Sequence, residues 1–184
     1  MKKTSFEHMP CPIARSLEHV GDWWNILILR DMSYGLSRFD EFQTSLGIAP
    51  NTLSRRLNDL IESGLVARQP YTDKPPRFDY VLTERGRDFR PVVLMLMKWG
   101  NRHFSPQGTH VELIDNATQQ PVDLVITDGN TGKRISVFDH TLRYTGAPDS
   151  ISAWRMETGR DRRQAYRDSL AATPLHSPVT GNSR

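Results

Sequence analysis

The residues around position 50 are polar and cationic, and their types match those that proteins use to contact DNA. Arginine forms paired hydrogen bonds with guanine in the major groove, and asparagine does the same with adenine. Lysine and arginine also bind phosphate oxygens, which positions a protein on DNA without reading its sequence. The candidates for base contacts are Asn51, Thr52, Ser54, Arg55 and Arg56, and those for phosphate and flanking contacts are Arg38, Lys74 and Arg77.

The apolar spacing around these candidates predicts the helices that must position them. A helix over 50–63 carries the base-contact candidates near its N-terminal end and an apolar stripe on another face. A shorter helix over 38–45 precedes it, and Gly47 offers the tight turn between the two. The apolar stripe of the longer helix consists of Leu53, Leu57, Leu60 and Ile61.

A β-hairpin is predicted directly after this pair of helices. Strand-like runs over 65–71 and 77–83 flank a turn-rich tip at 72–76. Helices, turn and hairpin in this order predict a winged helix-turn-helix, a mainly α fold with a small β-wing. Its second helix enters the major groove. The wing, about 71–77, lies on the flanking DNA.

Two other interpretations of the polar face remain open at this stage. In an isolated helix, such residues more often only solvate the surface, and it is the ordered hairpin after the helix that favours a DNA contact. A winged helix also serves as a protein-interaction module without sequence-specific DNA binding. The sequence-specific contact is the leading interpretation.

The last helix of this region is too apolar for one buried face. Thr83 is its expected N-cap, it runs to about His103, and Pro91 is expected to kink or split it. A helix with apolar residues on more than one side needs a second surface to bury against, and a partner subunit is one candidate. The apolar residues are Val92, Val93, Leu94, Leu96, Met97 and Trp99.

Over about residues 10–104, the chain resembles the HxlR-type winged-helix regulators. The resemblance implies a bacterial homodimeric transcription factor with a fold related to the MarR group. It also implies a dimer built by the N-terminal and last helices, and an inverted-repeat operator of double-stranded DNA. Ala49 departs from the family pattern, which often has a capping Ser before the proline. The matching segments are CPIA at 11–14, WNILILRD at 24–31, RFDEF at 38–42, IAPNTLSRRL at 48–57, LIESGLV at 60–66 and PPRFDYVLTERG at 75–86.

Cys11 is the single cysteine of the chain, and a lone cysteine excludes both an internal disulfide framework and a cysteine-based zinc site. It precedes Pro12 at the expected start of the first helix, where a helix N-terminus favours the thiolate. The family resemblance implies a possible oxidant or electrophile sensor, because some members use a cysteine at this position. A small, unreactive residue is the alternative.

The composition of the chain limits which other classes of protein and of function are compatible with the sequence. The chain has 184 residues and a net charge of +3, which suits one domain with additions. No apolar run is long enough to cross a membrane and no signal peptide is evident, so we expect a cytoplasmic protein. The six histidines lack metal-binding spacing, and no phosphate loop or nucleophile elbow is present. We therefore expect neither enzymatic activity nor a cofactor, although a small-molecule effector remains open.

The chain divides into four predicted parts. Residues 1–9 form an N-terminal arm, and 10–104 form the winged-helix domain with its dimerisation helices. Residues 105–148 contain strand-like runs and a weak 13-residue repeat, which predict a small β-meander. The last part, 149–184, is expected to be partly helical and flexible.

Overall fold

The computed structural model describes residues 5–73 and 76–172. The chain separates into two compact units, one ending at Leu124 and the other beginning at Val125. The first unit contains six helices and a hairpin among its described residues, and the second contains two helices. In chain order the elements are α1 (Pro12–Val20), α2 (Trp23–Ser33), α3 (Phe39–Leu46), α4 (Pro50–Glu62), β1 (Val66–Asp73), β2 (Pro76–Leu82), α5 (Glu84–Asp88), α6 (Arg90–Phe104), α7 (Ser150–Thr158) and α8 (Arg160–Ala172).

The core of the first unit lies between α2, α3, α4 and the base of the hairpin. The leucine stripe predicted on α4 is buried there, since Leu53, Leu57 and Leu60 are at most 1% exposed. Because every third or fourth residue of α4 is held in this way, its opposite face is left to solvent. The other fully enclosed core side chains are Ile28, Leu29 and Phe42.

The turn between α3 and α4 has the geometry that Gly47 permits. Gly47 adopts a left-handed conformation at φ 60° and donates its backbone N–H to the Gln43 carbonyl at 2.9 Å. Ala49 is the N-cap of α4 and supplies no side-chain cap, as expected from its departure from the family pattern. Pro50 occupies the first helical position, where its missing N–H costs nothing.

The hairpin forms as predicted. Strands β1 and β2 pair antiparallel from Val66 opposite Leu82 to Asp73 opposite Pro76, with an irregularity between Pro70 and Thr72. These strands form a two-stranded sheet. The mainly α fold with a small β-wing is thus confirmed as a winged helix-turn-helix.

The long helix predicted after the hairpin is split in two. The Thr83 hydroxyl accepts a hydrogen bond from the Gly86 N–H at 3.1 Å, which caps α5 as predicted. Helix α5 ends at its C-cap, Phe89, which is also the N-cap of α6, and Pro91 lies in the first turn of α6. A proline there cannot donate to the preceding turn, so a new helix starts instead.

Among the described residues, no helix is both long and apolar enough to span a membrane.

The β-meander predicted for residues 105–148 is wrong. The described residues of this segment form two isolated antiparallel bridges rather than strands, Ile114 with Pro121 and Thr127 with Arg134. The 13-residue repeat does form turns, because Asp115 and Asp128 each accept backbone N–H groups two or three residues ahead. Each turn is closed by a single bridge and its flanking backbone hydrogen bonds, and this pairing does not extend into strands.

The second unit contains two helices, α7 and α8, in the segment that the sequence predicted to be partly helical. Asp149 caps α7 by accepting from the Ser152 N–H at 2.6 Å, and α8 follows after Gly159. The predicted flexibility of the terminal segment concerns residues 173–184, which lie outside the described residues.

Candidate nucleic-acid interface

The exposed residues of α4 form a row of polar side chains, on the side of the helix that faces away from the buried leucines. Its members are spaced three, one and three residues apart, so they share one side of the helix. Thr52, a further candidate for base contact, is half-buried beside this row. The sequence prediction missed Asn58, although it lies seven residues after the first member and could have been found by this spacing. The exposed residues of the row are Asn51, Ser54, Arg55 and Asn58.

Arg56 lies outside this polar row. Its side chain is only 16% exposed, and its guanidinium forms an ion pair with the Asp22 carboxylate at the start of α2. A second ion pair joins Arg56 to Asp59 at 3.1 Å, one turn further along α4. The structure thus separates Arg56 from the exposed base-contact candidates and connects it to the start of α2.

Arg38 lies where the helix pair meets the wing. Its guanidinium lies 4.8 Å from the ring centroid of Tyr71 on β1, and its Nε lies 3.6 Å from Asp79 on β2. About half of its side chain is exposed, so these contacts orient the cation without removing it from solvent. Arg38 is therefore held between α3 and the wing, with charge available to a phosphate.

A hydrogen-bonded cap fixes the start of α3 beside the same junction. The Glu41 carboxylate accepts the backbone N–H groups of Ser37 and Arg38 at 2.8 and 2.9 Å. These bonds favour the ionised form and hold the pKa of Glu41 below its usual value. The Ser37 hydroxyl donates to Asp79 at 2.9 Å, and the Ser37 carbonyl accepts from Tyr80 N–H at 2.7 Å. Together they attach the wing to the helix-turn-helix.

The wing contributes one described cation near its tip. Arg77 is exposed at the second position of β2. Lys74, the other wing candidate, lies outside the described residues. On β1, Arg68 lies 4.3 Å from the ring centroid of Phe78, which holds this further cation against the sheet. The wing and the polar row of α4 are both anchored to the same core.

Cys11 occupies the position that the sequence predicted. It is the N-cap residue of α1, it is half-buried, and Pro12 follows at the first helical position. Its carbonyl accepts the Arg15 N–H at 3.0 Å, whereas its side chain makes no capping hydrogen bond. The Cys11 side chain therefore lies at the N-terminal end of α1.

Exposed apolar side chains line two helices of the first unit. On α6, Val92, Leu96 and Trp99 recur at helical spacing, and each is 44–53% exposed. On α1, Ile13 and Leu17 do the same. No residue of α6 is buried.

The described residues hold no group of three or more His, Cys, Asp or Glu side chains arranged for a metal ion.

Comparison with known proteins supports this assignment of the elements. The model of the HxlR-like helix-turn-helix family matches residues 19–108. An uncharacterized HTH-type transcriptional regulator of Mycobacterium tuberculosis is 38% identical over 125 residues, which cover 67% of this chain and 79% of that protein.

Two solved structures resemble the chain over more than the helix-turn-helix. The crystal structure of PA1607, a candidate transcription factor, is 37% identical with a TM-score of 0.69, and the match covers 76% of this chain and 99% of that one. A candidate transcription factor from Pseudomonas aeruginosa, PA1374, is 46% identical with a TM-score of 0.56, covering 79% of this chain and 99% of that one. Both similarities extend over a larger share of the chain than residues 19–108.

Proposed function

This chain belongs to the HxlR-like helix-turn-helix family, and we propose that it regulates transcription as a homodimer bound to an inverted-repeat operator. DNA binding is the activity of the family fold, and it requires contact surfaces rather than catalytic groups or a cofactor. The observation that carries the proposal is the exposed polar row of α4, held on a helix whose other face is locked into the core.

In the proposed complex, α4 enters the major groove and its polar row faces the base edges. Arg55 suits a guanine, and Asn51 and Asn58 suit adenines, because these side chains form paired hydrogen bonds with those bases. Arg38 binds a phosphate from the junction of α3 and the wing. Arg77 contacts the flanking DNA, and Lys74 is proposed to do so from the sequence alone.

The proposed dimer buries the exposed apolar faces of α1 and α6. Large exposed apolar side chains that recur along one face of a helix, as on α1 and on α6, are typical of a surface that another protein covers. A second copy is the proposed partner because most soluble homo-oligomers are two-fold dimers, and a two-fold dimer of winged helices presents two equivalent recognition helices. Two-fold symmetry of the protein then requires an inverted repeat in the DNA.

We also propose that oxidants or electrophiles modulate this binding through Cys11. The support is its position: Cys11 is the N-cap residue of α1, it is half-buried rather than enclosed, and its side chain makes no capping hydrogen bond. With one cysteine in the sequence, oxidation leads to a disulfide between two subunits or to a mixed disulfide with a small thiol. Both products consume an oxidant and alter the helix that the dimer is proposed to use.

Selection of duplexes from a random-sequence pool, followed by mapping of genomic binding sites, tests the proposal. We expect an enriched inverted repeat whose affinity falls steeply as salt rises, because binding releases counterions from the phosphates. Enrichment of a motif without inverted symmetry would contradict the dimeric complex. A protein that enriches no sequence and shows no salt-sensitive DNA binding would favour the protein-interaction module instead.

A further inference from the structure

The corner between α1 and α2 is a rigid piece of the first unit. A Cβ at Gly21 would lie 2.3 Å from the Leu17 carbonyl oxygen in the last turn of α1, so the backbone leaves no room for a side chain at this corner. The buried Asn25 side chain donates to the His19 carbonyl at 2.8 Å. Asp22 caps α2 by accepting the Trp24 N–H at 3.0 Å. Each contact limits how far the corner can change shape.

Two side-chain contacts connect this corner to α4, the helix that is proposed to enter the major groove. Asp22 uses its second carboxylate oxygen to pair with Arg56, near the middle of α4. His19 Nδ1 lies 3.1 Å from the Ser63 hydroxyl, at the C-terminal end of the same helix. Two attachment points along one helix fix its rotation about its axis as well as its position. The polar row of α4 therefore has a defined orientation relative to α1 and α2.

The ion pair is suited to setting orientation rather than to adding stability. The side chains of Arg56 and Asp22 are 16% and 26% exposed, and a pair that is covered to this extent recovers little net free energy, because removing the charges from water offsets much of their attraction. It does penalise every arrangement in which the charges separate, and the Arg56 Nε already lacks a hydrogen-bond partner. A small rotation of α4 would leave Arg56 without Asp22. The leucine stripe alone tolerates such a rotation better, because apolar contacts are not directional.

We propose that Asp22 is a positioning residue for DNA recognition, which holds Arg56 and thereby fixes the orientation of the polar row of α4 against the α1–α2 corner. The inference rests on the proposed DNA-binding function. It assigns Arg56 to the positioning of the helix, and it leaves base reading to the exposed residues. It also gives α1 a mechanical connection to the DNA-contacting face, because α1 and α4 share the same corner.

The substitution Asp22→Asn separates positioning from capping. Asparagine caps a helix about as well as aspartate does, so the start of α2 is preserved while the charge that pairs with Arg56 is lost. Glu62→Gln is the matched control: it removes one negative charge from an exposed position of α4 itself. Comparison of the two variants cancels the general effect of net charge on DNA affinity.

The readout is the ratio of affinity for a specific duplex to affinity for a scrambled duplex of equal length. The specific duplex is the one enriched by the wild-type protein from the random pool. We expect Asp22→Asn to lower this ratio about tenfold relative to Glu62→Gln, since residues that couple through a network shift binding by this order. A variant that merely folds less well loses both affinities by the same factor, so its ratio stays constant.

A double-mutant cycle tests the route through Arg56. If Asp22 acts by holding Arg56, Asp22→Asn has no further effect on the ratio in an Arg56→Gln background. An unchanged or higher ratio for Asp22→Asn alone would overturn the inference, and a higher one would indicate that the freed Arg56 contacts DNA directly. Failure of the wild type to enrich any duplex would instead refute the proposed function, so the two failures are distinguishable.

Discussion

Arg55 and Arg56 are adjacent in the chain, yet they lie in different environments on α4. Arg55 is exposed beside Ser54 on the solvent face, whereas Arg56 is largely covered and paired with Asp22 and Asp59. One residue along an α-helix turns the side chain by about 100°, which is enough to separate the two environments. Two identical side chains are thus expected to affect DNA binding by different routes.

Arg55→Ala is expected to remove specific DNA binding while leaving the fold intact. The side chain is exposed, so its removal opens no cavity, and alanine favours the helix. A bidentate contact to guanine contributes about 1–3 kcal/mol of discrimination, and this is the expected loss. Fluorescence anisotropy with specific and scrambled duplexes measures it. The control is Arg162→Ala, an exposed arginine on α8. If specific affinity survives Arg55→Ala, the assignment of the groove-facing residue is wrong.

Local periodicity explains why the helix-turn-helix could be predicted from the sequence. Leu53, Leu57 and Leu60 recur at helical spacing because one face of α4 must be buried, and this leaves few choices for the exposed face. Gly47 and Pro91 mark a turn and a helix start through their own backbone geometry. Each of these features depends on residues only a few positions apart, so it can be predicted without knowledge of the tertiary contacts.

The tertiary partners could not be predicted in the same way. Asp22 and Arg56 are 34 positions apart, and nothing in the local pattern of either residue indicates the other. The meander failed for a related reason, since apolar runs near Ile114 and Thr127 predict extended chain but do not determine what pairs with it. The turns at Asp115 and Asp128 were predictable, because each is closed by its own side chain.

Val92→Glu is expected to convert the proposed dimer into a monomer without unfolding it. Val92 is 53% exposed on the apolar face of α6, so a dimer would bury the new charge without a partner. A glutamate in the first turn of a helix is favourable in the monomer, because it complements the helix dipole. Analytical ultracentrifugation of the variant and the wild type measures the change.

Ile151→Glu is the matched control for this substitution. Ile151 is 63% exposed and also lies in the first turn of its helix, α7. It should leave the association state unchanged, because it lies outside the proposed interface of α1 and α6. A dimer that persists in Val92→Glu, or one that is lost equally in both variants, would show that this face of α6 is not the interface.

Glu41→Gln is expected to destabilise the protein at neutral pH and to lose its effect in acid. The backbone N–H groups of Ser37 and Arg38 lower the pKa of Glu41 in the folded state. Its carboxylate therefore contributes stability above the unfolded-state pKa of about 4.3, and that contribution is lost as pH falls through the folded pKa. Thermal unfolding of both proteins between pH 7 and pH 3 measures the difference. A difference in melting temperature that grows towards acid would contradict the assigned cap.

Cys11→Ser is expected to abolish any response of DNA binding to oxidants. Serine is a favoured N-cap residue, so the substitution keeps the start of α1 while removing the only thiol. In the wild type, treatment with hydrogen peroxide should change affinity for the enriched duplex and produce a covalent dimer on non-reducing gels, with the thiols oxidised and the peroxide reduced to water. Reduction with dithiothreitol should reverse both effects. A variant that responds to peroxide as the wild type does would exclude Cys11 as the sensor, because the response would then arise from another side chain.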